Sequence, residues 1–419
     1  MGLRNKENEN MADISLHRTF WPVGHGAFYT ELFFNRENSR TFCAVYDCGG
    51  KDTKIIKENV DCLLHECPKV DLLFISHLHE DHINGLQHLL SEAKHIGRVV
   101  LPYLEETTLV ESYVYNALSD ATKRIDTDKF EMAFIYNIAT RTNLPENITF
   151  VDVDYGEHPE HIDVERLGRR IASGTPIRVP NLSSSADYCD WIYIPVNAKF
   201  DIEKNEKLIS KLEKKLSITI KEKEHIKWEV LREALKKATS KDISELKDIY
   251  KKVFNGNPNA CSMPVYSGPR LLERCHYHYR CCSYCDSYGE KWYMRYKHAH
   301  STYRRRDENN YFFPQRMLGC LYMGDFETQE KGKLEDLKKI LGEYFFQVGM
   351  QQVPHHFALD NHHVELYTEN RVCAFGNVDN HGDVSFTQSV YKDIHSQVPI
   401  FVITEDKQTK FSCHFDYND

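Results

Sequence analysis

The most reactive stretch of this sequence follows a short apolar run, Val70–Ile75, whose pattern predicts a strand buried on both faces. The six positions after Ser76 hold three imidazoles and two carboxylates: His77, His79, Glu80, Asp81 and His82. In an extended segment the first two histidines face one point, and the turn that follows can bring the last Asp-His pair to a second point about 3.5 to 4 Å away. The pattern predicts two adjacent metal sites, because the buried strand disfavours a chance group of surface histidines.

This His-x-His-x-Asp-His pattern resembles the signature of the metallo-β-lactamase superfamily. Three further stretches agree with that family in the expected order: Tyr46-Asp47-Cys48-Gly49-Gly50, Leu321-Tyr322-Met323-Gly324-Asp325 and Val353-Pro354-His355-His356. The resemblance implies an α/β fold, the four-layer αββα sandwich. It also implies a set of metal ligands: His77, His79, Asp81, His82, Asp325 and His356. By the same resemblance, Asp47 orients the histidine loop from behind the ligands and Asp325 bridges the two metals.

The resemblance covers roughly residues 16 to 200 and 256 to 405. Within the superfamily it is nearest to the branch that contains the hydrolase domain of bacterial DNA-uptake (competence) proteins. Phe20–Phe28 and the paired histidines carry this narrower match. In that branch Asn-x-x-Ser often precedes the strand before Gly-Asp, and Asn259-Ala260-Cys261-Ser262 is similar to it.

One departure from the family pattern concerns the first metal. Most members carry a third histidine just before the strand that we predict at Cys261–Tyr266, where this chain has Asn257 and Asn259. Asn259 is a candidate substitute. His158 and His161 could also serve, although their polar loop favours solvent-exposed histidines.

A second departure follows the histidine pair, where the family has glycine and this chain has Phe357. The backbone could differ there, so the ligand could be His355 or His356. We favour His356 as the ligand and leave His355 to contact substrate.

The predicted ligand set indicates the chemistry. Histidine nitrogens and carboxylate oxygens with an open position suit Zn²⁺ and also Mn²⁺, so we expect one or two divalent ions of either metal. A bound ion lowers the pKa of its water from 15.7 to about 7 and polarises an ester or phosphoryl oxygen. Hydrolysis is therefore the expected reaction, with Asp81, which can orient the attacking water, and His355 as the catalytic candidates.

Composition divides the chain into three parts. Residues 16–200 and 256–415 form the two halves of the α/β domain, and 201–255 is a helical insertion in which Lys and Glu dominate and leucines recur at helical spacing. We interpret its charges as a solvated helix face, with partner-protein binding through the 201–254 helices as the alternative. The predicted strands and helices of the α/β domain include residues 27–34, 41–46, 53–66, Val70–Ile75, Leu86–Ala93, Arg98–Pro102, Leu318–Met323, Lys333–Leu341 and short strands around Phe346, Val372 and Val398–Ile403.

A second insertion, residues 270–312, is rich in cysteine, aromatic and basic residues. Cys275, Cys282 and Cys285 could hold a structural zinc, although reduced cysteines that bind nothing are the simpler interpretation. Two later segments of the insertion interleave cations with rings, a composition that stacks bases and neutralises phosphates. The candidate nucleic-acid contacts in them are Trp292, Arg304, Arg305 and Arg306. A solvated basic hairpin is the alternative.

Composition also limits the class of protein. The 419-residue chain has a net charge of −9, which makes a uniformly basic nucleic-acid-binding surface improbable. Its polar start and the lack of an apolar run of about 18 residues predict neither export nor membrane insertion. Thirteen cysteines without a signal sequence predict reduced thiols or metal ligands rather than a disulfide framework, and hence a cytoplasmic protein.

These features favour a metal-dependent phosphodiester hydrolase, a phosphodiesterase or nuclease that acts on nucleic acid or a nucleotide, in a bacterial defence system. A small-molecule esterase or lactonase of the same fold is the first alternative, because the fold alone does not fix the substrate. A catalytically silent regulatory protein that binds a partner is the second.

Overall fold

The structure is a computed structural model that describes residues 14–35, 39–154, 160–179, 182, 191–198, 202–223, 225–254, 262–270, 318–330, 332–367, 371–379 and 384–417. Several residues singled out in the sequence lie outside these ranges: His158, Asn257, Asn259, Cys275, Cys282, Cys285, Trp292, Arg304, Arg305 and Arg306. The substitute ligand, the structural zinc and the nucleic-acid contact that rest on them stay predictions.

The first sheet has eight strands: β1 (Ile14–Phe20), β2 (Tyr29–Asn35), β3 (Thr41–Tyr46), β4 (Lys69–Phe74), β5 (His95–Pro102), β6 (Ile148–Val151), β8 (Arg170–Ile171) and β18 (Phe411–Tyr417). Their order is β18-β1-β2-β3-β4-β5-β6-β8. The strands from β18 to β3 pair antiparallel, and those from β3 to β8 run parallel. The strand that precedes the histidine loop, β4, is therefore central in the sheet and parallel to both of its neighbours.

The second sheet also has eight strands: β7 (Ile162–Asp163), β9 (Ile177–Val179), β10 (Trp191–Pro195), β13 (Val265–Pro269), β14 (Gly319–Tyr322), β15 (Val348–Gln352), β16 (Cys373–Asn377) and β17 (Ile400–Ile403). Their order is β17-β16-β15-β14-β13-β10-β9-β7, with β14 to β17 parallel. A separate two-stranded ribbon pairs β11 (Lys221–Glu222) with β12 (His225–Ile226).

Ten α-helices lie in the described ranges: α1 (Thr53–Glu66), α2 (Glu80–Ile83), α3 (Leu86–Glu92), α4 (Glu106–Ser119), α5 (Phe130–Thr140), α6 (Ile202–Leu216), α7 (Trp228–Lys236), α8 (Ser240–Phe254), α9 (Lys333–Leu341) and α10 (Val384–His395). The first begins where it does because the Asp52 side chain accepts a hydrogen bond from the Lys54 backbone N–H at 2.8 Å. None of these helices is long and apolar enough to cross a membrane.

The layers follow from side chains that alternate along each strand. On β3, Cys43 and Val45 point to the helices of the first layer, in a core that also holds side chains of α1 and α3–α8. Their neighbours Ala44 and Tyr46 point to the space between the two sheets. A third core fills the space between the second sheet and the helices α9 and α10. The chain is thus an α/β protein of four layers, αββα, as the sequence predicts.

A buried ion pair links the two sheets. The Arg18 guanidinium lies 2.6 Å from a Glu31 carboxylate oxygen, and both side chains are almost inaccessible to solvent. Glu31 also accepts hydrogen bonds from the hydroxyls of Tyr193 and Tyr322 on the second sheet. Because buried polar groups need partners of this kind, the network fixes how the sheets face each other.

Most predicted elements occur close to their expected bounds, and two helices, 53–66 and Lys333–Leu341, match them at both ends. The strand predicted around Phe346 is wrong. Phe346 lies in a 3₁₀ segment, Gly342–Gln347, with 66% of its surface exposed, because the chain turns sharply at Gly342 and becomes extended only at Val348. The strand predicted at Cys261–Tyr266 begins only at Val265.

The segment predicted as a helical insertion is helical in α6, α7 and α8. Its regularly spaced leucines, Leu208, Leu212, Leu231 and Leu235, are fully buried in the same core as the first layer of helices. The amphipathic pattern therefore reports packing within the chain, and a partner role for its charged face stays a prediction.

Candidate metal centre

The predicted site residues lie where parallel strands of both sheets end. In the first sheet, Asp47 follows β3 and the histidine loop follows β4. In the second, Asp325 follows β14 and the His355-His356 pair follows β15. Parallel strands present their carboxyl ends at one edge of a sheet, so the four segments meet although they are distant in sequence.

Four side chains form a cluster that can hold a metal ion: Asp81, His82, Asp325 and His356. One ligand atom from each lies within 4.8 Å of all the others. His82 Nε2 is 3.2 Å from Asp325 Oδ1, and His356 Nε2 is 3.2 Å from Asp81 Oδ2. Two imidazoles and two carboxylates without a thiolate suit Zn²⁺ and also Mn²⁺.

Unsatisfied atoms in this cluster show that the residues fit a cation. Within the described part of the chain, His82 Nε2, Asp81 Oδ1 and Asp325 Oδ1 are buried without a hydrogen-bond partner. Such atoms are costly to bury unless something binds them. Because they surround the same space, a divalent ion would satisfy them together.

The position of His82 is fixed from behind by Asp47. The Asp47 carboxylate lies 2.8 Å from His82 Nδ1 and accepts two hydrogen bonds from Ser76, through its N–H and its hydroxyl, both at 2.6 Å. Since a carboxylate only accepts, Nδ1 carries the hydrogen and Nε2 presents a lone pair to the cluster. The contact has the geometry that the orienting role predicted for Asp47 requires, and the role itself stays a prediction.

His77 is held in the same way by hydroxyl groups. Its Nδ1 lies 2.9 Å from Ser262 Oγ and 3.0 Å from Ser76 Oγ. Ser262 Oγ also accepts from the Asp325 backbone N–H at 2.8 Å. The opposite nitrogen, Nε2, lies 3.7 Å from Asp325 Oδ2. His77 therefore lies beside the cluster, with its Nε2 directed at Asp325.

His79 lies beside His77, with ring centroids 4.7 Å apart, but it is not one of the four clustered residues. Its Nε2 is 3.2 Å from the buried carboxylate of Glu111 on α4. Its ring stacks on Tyr115 with centroids 3.9 Å apart. Only Nδ1 is then left as a ligand atom.

The His355-His356 segment has an unusual backbone. His355, His356 and Phe357 all have positive φ angles, of 48°, 49° and 65°. Left-handed conformations favour glycine, which explains why the family pattern has glycine after the pair. Here Phe357 adopts the glycine-like angle, and its fully buried ring packs against Gly376, where a Cβ would lie only 2.6 Å from the ring.

The two histidines of this segment take different places. His356 Nε2 points into the cluster, and its Nδ1 lies 3.2 Å from the backbone oxygen of Asn377. His355 Nε2 lies 3.6 Å from Asp325 Oδ2 at the border of the cluster. His356 is therefore one of the four clustered residues and His355 lies beside them, and the roles predicted for the two stay predictions.

The charges of the cluster compensate one another. Burial alone would lower the pKa of His82 and raise that of Asp325. Their mutual attraction reverses both effects, so the pKa of His82 is well above and that of Asp325 well below the usual value. The pKa of His356 is likewise raised, against its burial, by Asp325 and Asp81. The two carboxylates therefore favour the charged forms of both imidazoles, against the effect of burial.

The sequence missed two groups near the cluster. His25, between Gly24 and Gly26, has its ring 3.9 Å from that of His356 and its Nε2 3.6 Å from Asp81 Oδ2. Its side chain is 45% exposed, so it can meet a substrate. A histidine between two glycines just after a strand was the available signal. Glu111 gave none, because a single acid in an amphipathic helix normally faces solvent.

His161, considered as a substitute ligand, lies elsewhere. It precedes β7, the edge strand of the second sheet, and is not one of the four clustered residues.

Similarity to known proteins agrees with this geometry. The profile of the family described as Metallo-beta-lactamase superfamily matches residues 38–171, which include Asp47 and the histidine loop. A curated relative, the anti-Pycsar protein Apyc1 of Bacillus phage BSP38, is 30% identical over 141 residues. That match covers 30% of this chain and 54% of the relative, so the chain spans about half the length of the protein it matches. The resemblance to the DNA-uptake branch stays a prediction.

Proposed function

We propose that this chain, of which residues 38–171 match the metallo-beta-lactamase superfamily, is a metal-dependent phosphodiester hydrolase acting on nucleic acid or a nucleotide. The observation that carries the proposal is the cluster of Asp81, His82, Asp325 and His356, with buried atoms that need a cation. The phage relative, whose name directs it against Pycsar, supports a role in bacterial defence. Because one fold can serve several reactions, the fold does not identify the substrate class, which needs its own test.

We assign the following roles to the residues of the site. His82, Asp325, Asp81 and His356 would hold one divalent ion, and His77 and His79 would serve the second position. A bound divalent ion supplies Lewis-acid activation of water and of the phosphoryl oxygen. Every other contribution comes from side chains that surround this point.

Asp81 is placed to orient the attacking water. Its Oδ2 lies 3.2 Å from His356 Nε2, whereas its Oδ1 has no hydrogen-bond partner among the described residues and can accept a hydrogen bond from water. His355, whose Nε2 lies 3.6 Å from Asp325 Oδ2, can donate to a phosphoryl oxygen next to the cluster. His25, in the loop between β1 and β2, has its ring 3.9 Å from that of His356 and so lies next to the same cluster.

The test is hydrolysis of single- and double-stranded DNA and RNA and of nucleotides in Mn²⁺ or Zn²⁺. A double variant, Asp81→Ala with His82→Ala, should lose at least about 100-fold of the rate, because it removes two ligand candidates. The matched control is His65→Ala, which makes the same histidine change at an exposed position of α1.

A second assay separates the substrate classes. We expect hydrolysis of a bis-aryl phosphodiester and little hydrolysis of an aryl carboxylic ester. The reverse preference would replace this proposal by an esterase or lactonase. A protein that binds metal but hydrolyses neither would favour the regulatory alternative.

A further inference from the structure

We propose that Tyr250, acting through Glu111, positions His79 for metal binding, so that helix α8 supports the metal site of the α/β domain. The inference rests on the proposed metal site and adds residues to it that lie outside the histidine loop. Neither residue is a ligand candidate; both act through His79.

Glu111 fixes the chemical state of His79. Its carboxylate is 1% exposed, and its two oxygens lie 3.2 and 3.4 Å from His79 Nε2. An ionised carboxylate can only accept, so Nε2 must carry the hydrogen. This tautomer leaves the lone pair on Nδ1, the nitrogen that a metal could use, and a carboxylate partner makes that nitrogen a stronger ligand.

Tyr250 holds Glu111 in place. The Tyr250 hydroxyl donates a hydrogen bond to Glu111 Oε1, the oxygen nearest to His79, and Ser112 Oγ donates to Oε2 at 3.2 Å. A buried carboxylate without such donors would turn towards other partners or lose its charge. Tyr250 therefore supplies the donor that keeps one oxygen directed at the imidazole.

An aromatic contact restrains the orientation of the His79 ring by packing against its face. The ring stacks on Tyr115 at 3.9 Å between centroids and 19° between planes, and the Tyr115 ring is 6.0 Å from that of Tyr250. The imidazole is thus held at its edge by Glu111 and on its face by Tyr115. Both restraints come from α4, and Tyr250 of α8 contacts the two α4 residues that provide them.

The segment that carries Tyr250 is anchored on the same helix, α4, at two further points. The Asn205 side chain of α6 donates to Thr108 Oγ1 at 3.1 Å, and the Ile226 backbone N–H donates to Glu106 Oε2 at 2.5 Å. These contacts lie on the first half of α4, before Glu111. Of these three contacts with α4, the one made by Tyr250 is linked, through Glu111, to a histidine of the metal loop.

The test is the affinity for Zn²⁺ alone, measured on the full chain by competition with a chromophoric chelator, for wild type and Tyr250→Phe. We expect a Zn²⁺ affinity about 10-fold weaker in the variant, the lower end of the effect of removing such supporting groups. The matched control is Tyr136→Phe. It removes a hydroxyl that donates to Glu229 at 2.9 Å, a bond that also joins the domain to the helical segment but does not reach the metal loop.

Thermal unfolding of the metal-free proteins separates positioning from packing. A merely structural role predicts similar losses of stability in both Tyr→Phe variants and a Zn²⁺ affinity within about twofold of wild type, and that result would overturn the inference. Glu111→Gln, which keeps the shape but removes the charge, should also weaken Zn²⁺ binding. If it does and Tyr250→Phe does not, the part assigned to Tyr250 is wrong.

The outcome also separates this inference from the proposed function. Weaker Zn²⁺ binding by Tyr250→Phe in a protein that hydrolyses no phosphodiester would support the positioning role and reject the proposed substrate. A wild-type protein that binds no Zn²⁺ would reject both.

Discussion

The Asp47 carboxylate lies 2.8 Å from His82 Nδ1, and both side chains are completely buried. Asp47 has a positive φ angle of 56°, directly before Cys48 and Gly49. Aspartate and asparagine tolerate this conformation better than most residues. Burial raises the pKa of the Asp47 carboxyl, and the neighbouring His82 opposes that rise. The contact thus joins a left-handed turn after β3 to a ligand candidate after β4.

Asp47→Asn should weaken metal binding without unfolding the protein. Asparagine can keep the backbone conformation, but its amide nitrogen only donates, so one of the two oxygens that accept from Ser76 and His82 is lost. We expect metal affinity to fall about 10- to 100-fold, measured by chelator competition.

The control for this change is Asp71→Asn. The Asp71 carboxylate accepts a bond from the Cys43 backbone N–H at 2.8 Å and touches no histidine of the loop. Equal metal affinities for the two variants would show that Asp47 only stabilises the turn.

Gly49→Ala should disrupt the histidine loop by direct contact. A Cβ at Gly49 would lie 2.3 Å from the backbone oxygen of Asp81 and 2.6 Å from the carbonyl carbon of His82. Backbone atoms cannot move aside as a flexible side chain can, so we expect a loss of about 1 to 3 kcal/mol of unfolding free energy and weaker metal binding. Urea denaturation measures the first effect and metal titration the second.

Gly168→Ala provides the matched comparison, because a Cβ there meets nothing within 4 Å. A Gly49→Ala protein as stable as Gly168→Ala would mean that the loop can shift without cost.

The sequence predicts the histidine loop well because its ligand candidates are consecutive and follow one strongly apolar strand. It also predicts α1, whose capping Asp52 and buried Ile56, Val60 and Leu63 are all local signals.

The sequence does not predict contacts between residues that are far apart along the chain. Glu111 is 32 positions from His79, and the β1–β18 pairing of His17 with His414 joins opposite ends of the chain. Strand partners and buried carboxylate contacts depend on how the layers meet, and a single sequence pattern records only which face of an element is apolar.

The His17–His414 pair should give stability a pH dependence away from the metal centre. Burial and the neighbouring His414 and Lys410 lower the pKa of His17 from 6.5 to about 4. The unfolded chain therefore binds a proton more readily, so this contribution is complete above about pH 6.5 and is lost as pH falls towards 4. His17→Gln should remove a decrease on the order of 2 kcal/mol over that range.

Urea denaturation at several pH values measures this as the difference between wild type and variant, since other histidines titrate in both. His65→Gln, at an exposed position, should keep the wild-type pH dependence. Parallel curves for wild type and His17→Gln would contradict the assignment.

Removing metal should destabilise the protein only if the cluster is intact. An ion that binds the folded state alone adds about 2.7 kcal/mol to the free energy of unfolding when its free concentration is about 100 times its Kd. We expect a chelator to lower the free energy of unfolding of wild type by about that amount. The free energy of unfolding of the Asp81→Ala, His82→Ala double variant should not change when the chelator is added. The double variant should be less stable than wild type even without metal, because His82→Ala leaves the buried carboxylates of Asp47 and Asp325 without this partner, so the chelator effect is compared within each protein. A chelator effect of equal size in both proteins would place the stabilising ion elsewhere in the chain.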